Sequence, residues 1–158
     1  FSGTFIGMAW ALASAAEILA MVASARLFRQ YTPEKMMVFA FGVAVFRWLV
    51  LSWTTSAIII LIAQGLHAIT YGVFHMASIL YVDRLSPSQG KALGQAVNNS
   101  VTYGLGLMVG FYLSGWLYAQ VSLFYLFLVS ASIAAGGGVL FYTGVCRSLT
   151  NERQTHGK

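Results

Sequence analysis

The fold of this chain is decided by residues 57–82, with the sequence AIIILIAQGLHAITYGVFHMASILYV. This stretch contains no acid, lysine or arginine, and it exceeds the ~20 apolar residues that cross a bilayer as an α-helix. Transmembrane β-strands instead alternate apolar and polar residues over about ten positions. Because the apolar run is long and nearly continuous, it predicts a transmembrane helix.

Composition extends this prediction to the whole chain. Hydrophobic residues make up 58% of the 158 residues and charged residues 8%, whereas ordinary soluble domains carry about 25% charged residues. A soluble globular domain is thereby excluded, and the lipid bilayer is the predicted partner. The net charge of +5 does not indicate nucleic-acid binding, because the basic residues form no patch with interleaved aromatic residues. The single cysteine, Cys146, permits no internal disulfide.

Four further apolar runs flank the opening stretch and predict an all-α integral membrane protein with five transmembrane helices. The helices are predicted at about residues 3–25, 36–53, 57–82, 92–118 and 122–146, forming a transmembrane bundle over residues 1–147 with a cytoplasmic polar tail at 148–158. Because the first residue is Phe rather than Met, we expect the numbering to begin inside a longer protein.

Lysine and arginine residues predict the orientation of these helices. Outside the predicted spans they fall between the first and second helices, between the third and fourth, and after the fifth: Arg26, Arg29, Lys35, Arg84, Lys91, Arg147, Arg153 and Lys158. The other two loops carry none, so the positive-inside rule places the basic side in the cytoplasm. The N-terminus is then outside and the C-terminus cytoplasmic, and an odd number of upstream helices is expected.

Four ionisable residues lie inside the predicted spans: Glu17, Arg47, His67 and His75. A charge at the bilayer centre costs at least about 2.5–3.5 kcal/mol, so the default hypothesis is an ion or substrate pathway. Glu17 and Arg47 both lie near mid-membrane by helix rise, which makes an ion pair between them geometrically plausible. His67 is a candidate proton relay, because imidazole changes charge near neutral pH. The alternative is a static buried ion pair that only orients the helices.

Polar side chains form one stripe on each of three predicted helices. The stripes are Trp10, Ser14, Glu17 and Ser24; Gln64, His67, Tyr71, His75 and Ser78; and Gln95, Asn99, Thr102 and Gly106. Such stripes face a protein interior or a water-filled cavity rather than lipid. His67 and His75 lie about 12 Å apart along the helix axis, too far to share one ion, so no metal site is predicted. The sequence presents no catalytic set and no cofactor motif, which argues against an enzyme.

These residues carry a resemblance to a known family, the phenylpropionate permease-like branch of the major facilitator superfamily. The segments that resemble its helices 8, 9, 10 and 11 are, in order, Trp10–Ile18; Phe46–Trp48; Gln64–Thr70 with His75; and Pro87–Gly90, Gly94–Ala96 and Tyr103–Gly104. The resemblance covers nearly the whole chain. It implies helices 8–12 of a twelve-helix transporter of the bacterial inner membrane, with helix 7 and the N-terminal half as missing partners.

The resemblance also implies a function, that of a proton-coupled symporter for a small organic solute, either an aromatic acid or a sugar-like compound. Related galactoside permeases carry an acid, an arginine and a histidine on helices 8, 9 and 10, and Glu17, Arg47 and His67 occupy those positions. Thr70 stands where those permeases have a second acid, so either Glu17 is expected to carry the proton, with His67 or His75, or the missing half supplies the carrier. The expected substrate-binding residues are Trp10, Gln64, Tyr71, His75, Gln95 and Asn99, and Arg47 is a candidate partner for a substrate carboxylate.

Two other functions compete with transport as interpretations of these helices. An accessory or scaffold membrane subunit would use the same helices to pack against a partner, and Glu17 and Arg47 would then be structural. A channel is disfavoured, because the polar residues are few and no ring or filter motif is present.

Overall fold

A computed structural model of the chain describes residues 2–156, with side chains described for residues 2–147. Within that range the chain forms five helices and no strand, so the all-α prediction is confirmed. We label the helices α1 (Gly3–Gln30), α2 (Pro33–Trp53), α3 (Ala57–Leu85), α4 (residues 91–120) and α5 (Leu123–His156).

Two of these helices contain a wider π-helical turn in the middle. In α3, the segment Ala68–Val73 is π-helical and lies between Ala57–Gly65 and Phe74–Leu85. In α4, Ser100–Gly106 is π-helical between Lys91–Asn99 and Leu107–Gln120. Short π segments inside α-helices occur frequently at functional sites.

Helices α1, α2, α3 and residues 123–147 of α5 are long and apolar enough to cross a membrane, by length and composition. Helix α4 is not among these four, because polar side chains crowd its first half and glycines and tyrosines its second half. The chain is thus an all-α membrane protein, whereas membrane crossing by α4 and the division into bundle and tail remain predictions.

Several helices are longer than the sequence-based bounds. Helix α1 continues to Gln30, so Arg26 and Arg29 lie on its last turns, where cations interact favourably with the helix dipole. Helix α2 begins with Pro33 after the capping residue Thr32, and proline is favoured at that position because its missing N–H has no helical partner there. Helix α5 continues to His156, so most of the predicted tail is helical, and its side chains lie outside the described residues.

The packing of the helices centres on α2 and α3. Helix α3 contacts α1, α2 and α4, and α2 packs along α5. The buried residues are mostly alanines, which let the helix backbones approach closely: Ala9, Ala13, Ala40, Ala63, Ala68, Ala77 and Ala131. Many large apolar side chains are exposed instead, as expected of surfaces that face lipid or another helix bundle.

Phe41 joins three helices at the centre of this packing. Its ring lies edge-on to that of Phe74 on α3, with centroids 5.2 Å apart, and 6.3 Å from the ring of Phe141 on α5. Gly137 and Gly138 provide the space for this ring, because a Cβ atom on either would lie within 3.2 Å of Phe41. Close packing of α2 against α5 therefore requires glycine, which has no side chain, at these two positions of α5.

Candidate functional site

A carboxylate–imidazole pair links α1 to α3. The Oε1 atom of Glu17 lies 2.9 Å from the Nε2 atom of His67, and the two side chains are 19% and 23% exposed. Both side chains therefore keep some exposed surface within this segment. Glu17 lies in the middle of α1, and His67 directly precedes the π segment of α3.

Arg47 of α2 contacts the other ring nitrogen of this histidine. Its side chain donates hydrogen bonds from Nε to the Ala63 carbonyl oxygen and from Nη2 to Gln64 Oε1, both at 2.9 Å. Its Nη1 atom lies 3.4 Å from Nδ1 of His67, and its guanidinium carbon lies 4.9 Å from the centre of the Trp48 ring. Only 6% of Arg47 is exposed, so most of its donors are committed within the bundle.

The partners of His67 indicate which ring nitrogen carries the proton of the neutral imidazole. A guanidinium group only donates, so Nδ1 of His67 faces a donor and acts as the acceptor. The proton of the neutral imidazole is then on Nε2, where it is donated to the Glu17 carboxylate. The imidazole therefore bridges a cation and an anion. The Glu17–Arg47 interaction that helix rise made plausible is not a direct contact among the described residues, because His67 lies between the two groups.

The role of Arg47 as a partner for a substrate carboxylate also does not fit this geometry. Its donors point at Ala63, Gln64 and His67, and its burial leaves little of the guanidinium accessible. Arg47 is placed to orient His67 and Gln64. Thr70 adds a hydroxyl 3.5 Å from Nδ1 of His67, so the position that lacks a second acid still contributes a polar contact.

A ladder of rings continues from His67 along α3. The rings of His67 and Tyr71 stack with centroids 5.5 Å apart, and those of Tyr71 and His75 stack at 6.0 Å. In a regular α-helix, residues four apart drift by about 40° around the axis. The wider π turn between His67 and His75 offsets this drift, which keeps the three rings aligned.

Tyr103 of α4 closes the ladder from the side. Its hydroxyl oxygen lies 2.5 Å from Nδ1 of His75, and its ring is edge-on to those of Tyr71 and His75. Sequence reasoning did not select Tyr103 as a site residue. A signal was present, since the tripeptide Thr-Tyr-Gly occurs at Thr70–Gly72 and again at Thr102–Gly104. Each copy lies within one of the two π segments.

The remaining predicted site residues are not part of this cluster. Trp10 is 67% exposed and Asn99 is exposed, and among the described residues neither forms a hydrogen bond or a ring contact with the cluster. Gln95 donates from Nε2 to the Ile79 carbonyl oxygen at 2.8 Å, so its amide joins α4 to α3. The structure therefore assembles Glu17, Arg47, Gln64, His67, Tyr71 and His75, and adds Tyr103. Within the described part of the chain, no three His, Cys, Asp or Glu residues are grouped to hold a metal ion.

Comparison with known proteins identifies the family to which the chain is similar. A family model described as "MFS_1 like family" matches residues 1–129. The chain is 29% identical over 118 residues to the probable 3-phenylpropionic acid transporter of Escherichia coli strain K12. That similarity covers 75% of this chain and 31% of the relative, so the chain spans less than a third of that transporter's length. No solved structure matches the chain.

Proposed function

Because this chain belongs to the MFS_1 like family of the major facilitator superfamily, we propose that it forms helices 8–12 of a proton-coupled secondary transporter. The remaining helices would come from a partner bundle, and a small organic solute would bind between the two bundles near mid-membrane. Rocking of one bundle against the other would then give alternating access. The short share of the relative that this chain covers supports a missing half.

The observation that carries this proposal is the Glu17–His67 contact, supported by Arg47, inside an otherwise apolar bundle. Ionisable residues at membrane depth mark ion or substrate pathways by default. Glu17 is the group that gains and loses the coupling proton. Its partial exposure within this segment supports access from a cavity between the bundles, and it is the acidic member of the network.

Protonation of Glu17 would change the link between α1 and α3. The charged carboxylate accepts a charge-assisted hydrogen bond from His67, which is roughly twice as strong as a neutral one. A neutral carboxyl group still accepts this bond through its carbonyl oxygen, but the charge assistance is lost. Protonation of Glu17 therefore weakens the contact between α1 and α3. A proton can shift a conformational equilibrium only if it affects the two conformations differently, and this weakened contact provides such a difference.

For the substrate, we propose an aromatic acid. The relative is described as a probable 3-phenylpropionic acid transporter, and the stacked rings of His67, Tyr71 and His75 present ring edges against which an aromatic ring can pack edge-to-face. Tyr71 is the most accessible ring, at 38% exposure. Gln64 lies beside the ladder, and Trp10, Gln95 and Asn99 would complete the binding cavity from the surfaces that a partner bundle covers.

The proposed setting is the bacterial inner membrane, with the N-terminal end of this segment outside and the C-terminal end cytoplasmic. The distribution of lysine and arginine supports this orientation. At the predicted cytoplasmic side, Glu34 lies 3.5 Å from Arg84 and Asp83 lies 2.7 Å from Lys91. These ion pairs tie the ends of α2, α3 and α4 together.

The test is proton-driven uptake of 3-phenylpropionate by the complete protein in proteoliposomes. We expect Glu17→Gln to abolish accumulation driven by a proton gradient, while exchange of labelled for unlabelled solute continues. Glu34→Gln is the matched control, because Glu34 is a carboxylate outside the site. Normal accumulation by Glu17→Gln would disprove the proton role of Glu17. Absence of any uptake by the unmodified protein would instead favour the accessory-subunit alternative.

A further inference from the structure

We propose that His75, hydrogen-bonded to Tyr103, is the histidine that carries a proton in this bundle, whereas His67 stays neutral as a bridge. This inference rests on the proposed proton-coupled transport and deepens it. It makes Tyr103, on the neighbouring helix α4, a positioning residue for His75.

The surroundings of His67 keep it neutral. Its Nε2–H is donated to Glu17, and its Nδ1 faces Nη1 of Arg47. A second proton would have to occupy Nδ1, where it would point at a guanidinium N–H that cannot accept it. The resulting imidazolium would also lie beside a fixed positive charge, and a like charge disfavours the charged form. His67 therefore loses a contact if it is protonated.

The surroundings of His75 permit both protonation states. Its Nδ1 lies 2.5 Å from the hydroxyl oxygen of Tyr103, and a phenol can donate or accept a hydrogen bond. With Nδ1–H donated to Tyr103, the ring takes a proton at Nε2 and keeps that hydrogen bond as an imidazolium. Among the described residues, Nε2 of His75 has no hydrogen-bond partner, so it is open to the proton.

The groups that face His75 do not oppose a positive charge. Tyr71 on its own helix and Tyr103 on α4 are the titratable groups in contact with it. Of the charged groups on the other two helices packed on α3, Glu17 of α1 and Arg47 of α2 are held at His67. Glu34 of α2 is paired with Arg84, and the remaining charged residues of these two helices are exposed: Arg26, Arg29 and Lys35. His75 is thus separated from the guanidinium by the length of the ring ladder.

Water completes the route between the two proton-binding groups. Protonated Glu17 releases its proton to water beside the exposed face of Tyr71, and water delivers the proton to Nε2 of His75. Glu17 returns to the carboxylate and His75 becomes the imidazolium, so charge balances and no bond to carbon changes. Release from His75 to water on the other side regenerates the neutral ring.

The experiment measures proton uptake coupled to 3-phenylpropionate entry in proteoliposomes of the complete protein, as a function of external pH. Tyr103→Phe keeps the ring and removes the acceptor of the imidazolium, so we expect the midpoint to move by about one unit toward acid pH. Tyr112→Phe, a 73% exposed tyrosine of the same helix, should leave the midpoint in place. His75→Gln should remove this transition and leave only the pH dependence that comes from Glu17.

His67→Gln is the discriminating variant. A glutamine amide can accept from Arg47 and donate to Glu17, so we expect a lower rate with an unmoved midpoint. The assignment to His75 would be overturned if His67→Gln shifted the pH midpoint of proton uptake. It would also be overturned if neither His75→Gln nor Tyr103→Phe changed that midpoint. If the unmodified protein shows no coupled proton uptake, the proposed function fails, and that outcome is distinct from a normal profile in the variants.

Discussion

Gly72 of α3 lies directly against the backbone of Glu17 of α1. A Cβ atom on Gly72 would stand 3.4 Å from the Glu17 carbonyl oxygen and 3.4 Å from the Cβ atom of Ala20. This close approach of the two helices is what allows the Glu17 carboxylate to reach His67 on the neighbouring turn. Gly72 and the Glu17–His67 pair therefore belong to the same contact between α1 and α3.

A larger side chain at Gly72 should separate the two helices. We expect Gly72→Leu to lower the stability of the complete protein by about 1–3 kcal/mol through overpacking, and to abolish proton-driven accumulation. Gly72→Ala, whose methyl group would make ordinary contacts at 3.4 Å, should retain both. The melting temperature in detergent and accumulation in proteoliposomes are the measurements. Equal behaviour of the two variants would show that the close approach is not required.

Arg47→Lys should be a damaging substitution although it conserves the charge. Arg47 reaches acceptors on Ala63, Gln64 and His67 from three different nitrogens, and a single ammonium nitrogen cannot occupy these positions. Each acceptor left unpaired costs about 1–3 kcal/mol. We expect a lower melting temperature and weaker proton-driven accumulation. Arg26→Lys, at an exposed position of α1, is the control, and an equal effect of both variants would contradict the prediction.

The glycines of α5 should differ sharply in their tolerance of alanine. At Gly138 a Cβ atom would lie 3.0 Å from the Cβ atom of Phe41, whereas at Gly136 nothing lies within 4 Å. We expect Gly138→Ala to destabilise the α2–α5 contact by about 1–3 kcal/mol. Gly136→Ala should be neutral or stabilising by up to about 1 kcal/mol, since alanine favours helix. The measurement is the melting temperature of each variant in detergent. A loss of stability in Gly136→Ala alone would contradict the predicted difference between the two glycines.

Membrane orientation can be tested by cysteine labelling of intact cells. In a Cys146→Ser background, we expect a membrane-impermeant maleimide to label Ser122→Cys and to leave Ser88→Cys unlabelled. Both serines are exposed and lie between helices, on sides that the basic residues predict to be outside and cytoplasmic. Labelling of both positions after permeabilisation is the control. The reverse pattern in intact cells would invert the predicted orientation.

Much of the fold follows from features that sequence carries locally. Apolar runs of membrane length define the helices, and spacing at helical period places Gln64, His67, Tyr71 and His75 on one face of α3. The rarity of charge in such runs selects Glu17 and Arg47. Helix α4 is the exception, because its glycines and polar residues weaken the same signal.

The pairing of these residues could not be predicted, because it depends on how the helices rotate and approach. Depth alone allowed Glu17 to meet Arg47, but the structure inserts His67 between them. Tyr103 was not selected, since tyrosines are common on membrane helices and nothing local distinguishes one that reaches His75. The duplicated Thr-Tyr-Gly tripeptide becomes informative once both copies are found in π segments.

The π segment of α3 also gives the helix a place where its length can change without altering its direction. A π turn accommodates one residue more than an α turn, so loss of a single codon within residues 69–73 would let the helix close up as a continuous α-helix. Seven α-helical residues would then separate His67 from His75, and because seven residues make nearly two whole turns, His75 would still face Tyr103. Loss of one residue from the α-helical parts of α3 has no such slack and would rotate everything after it by about 100°.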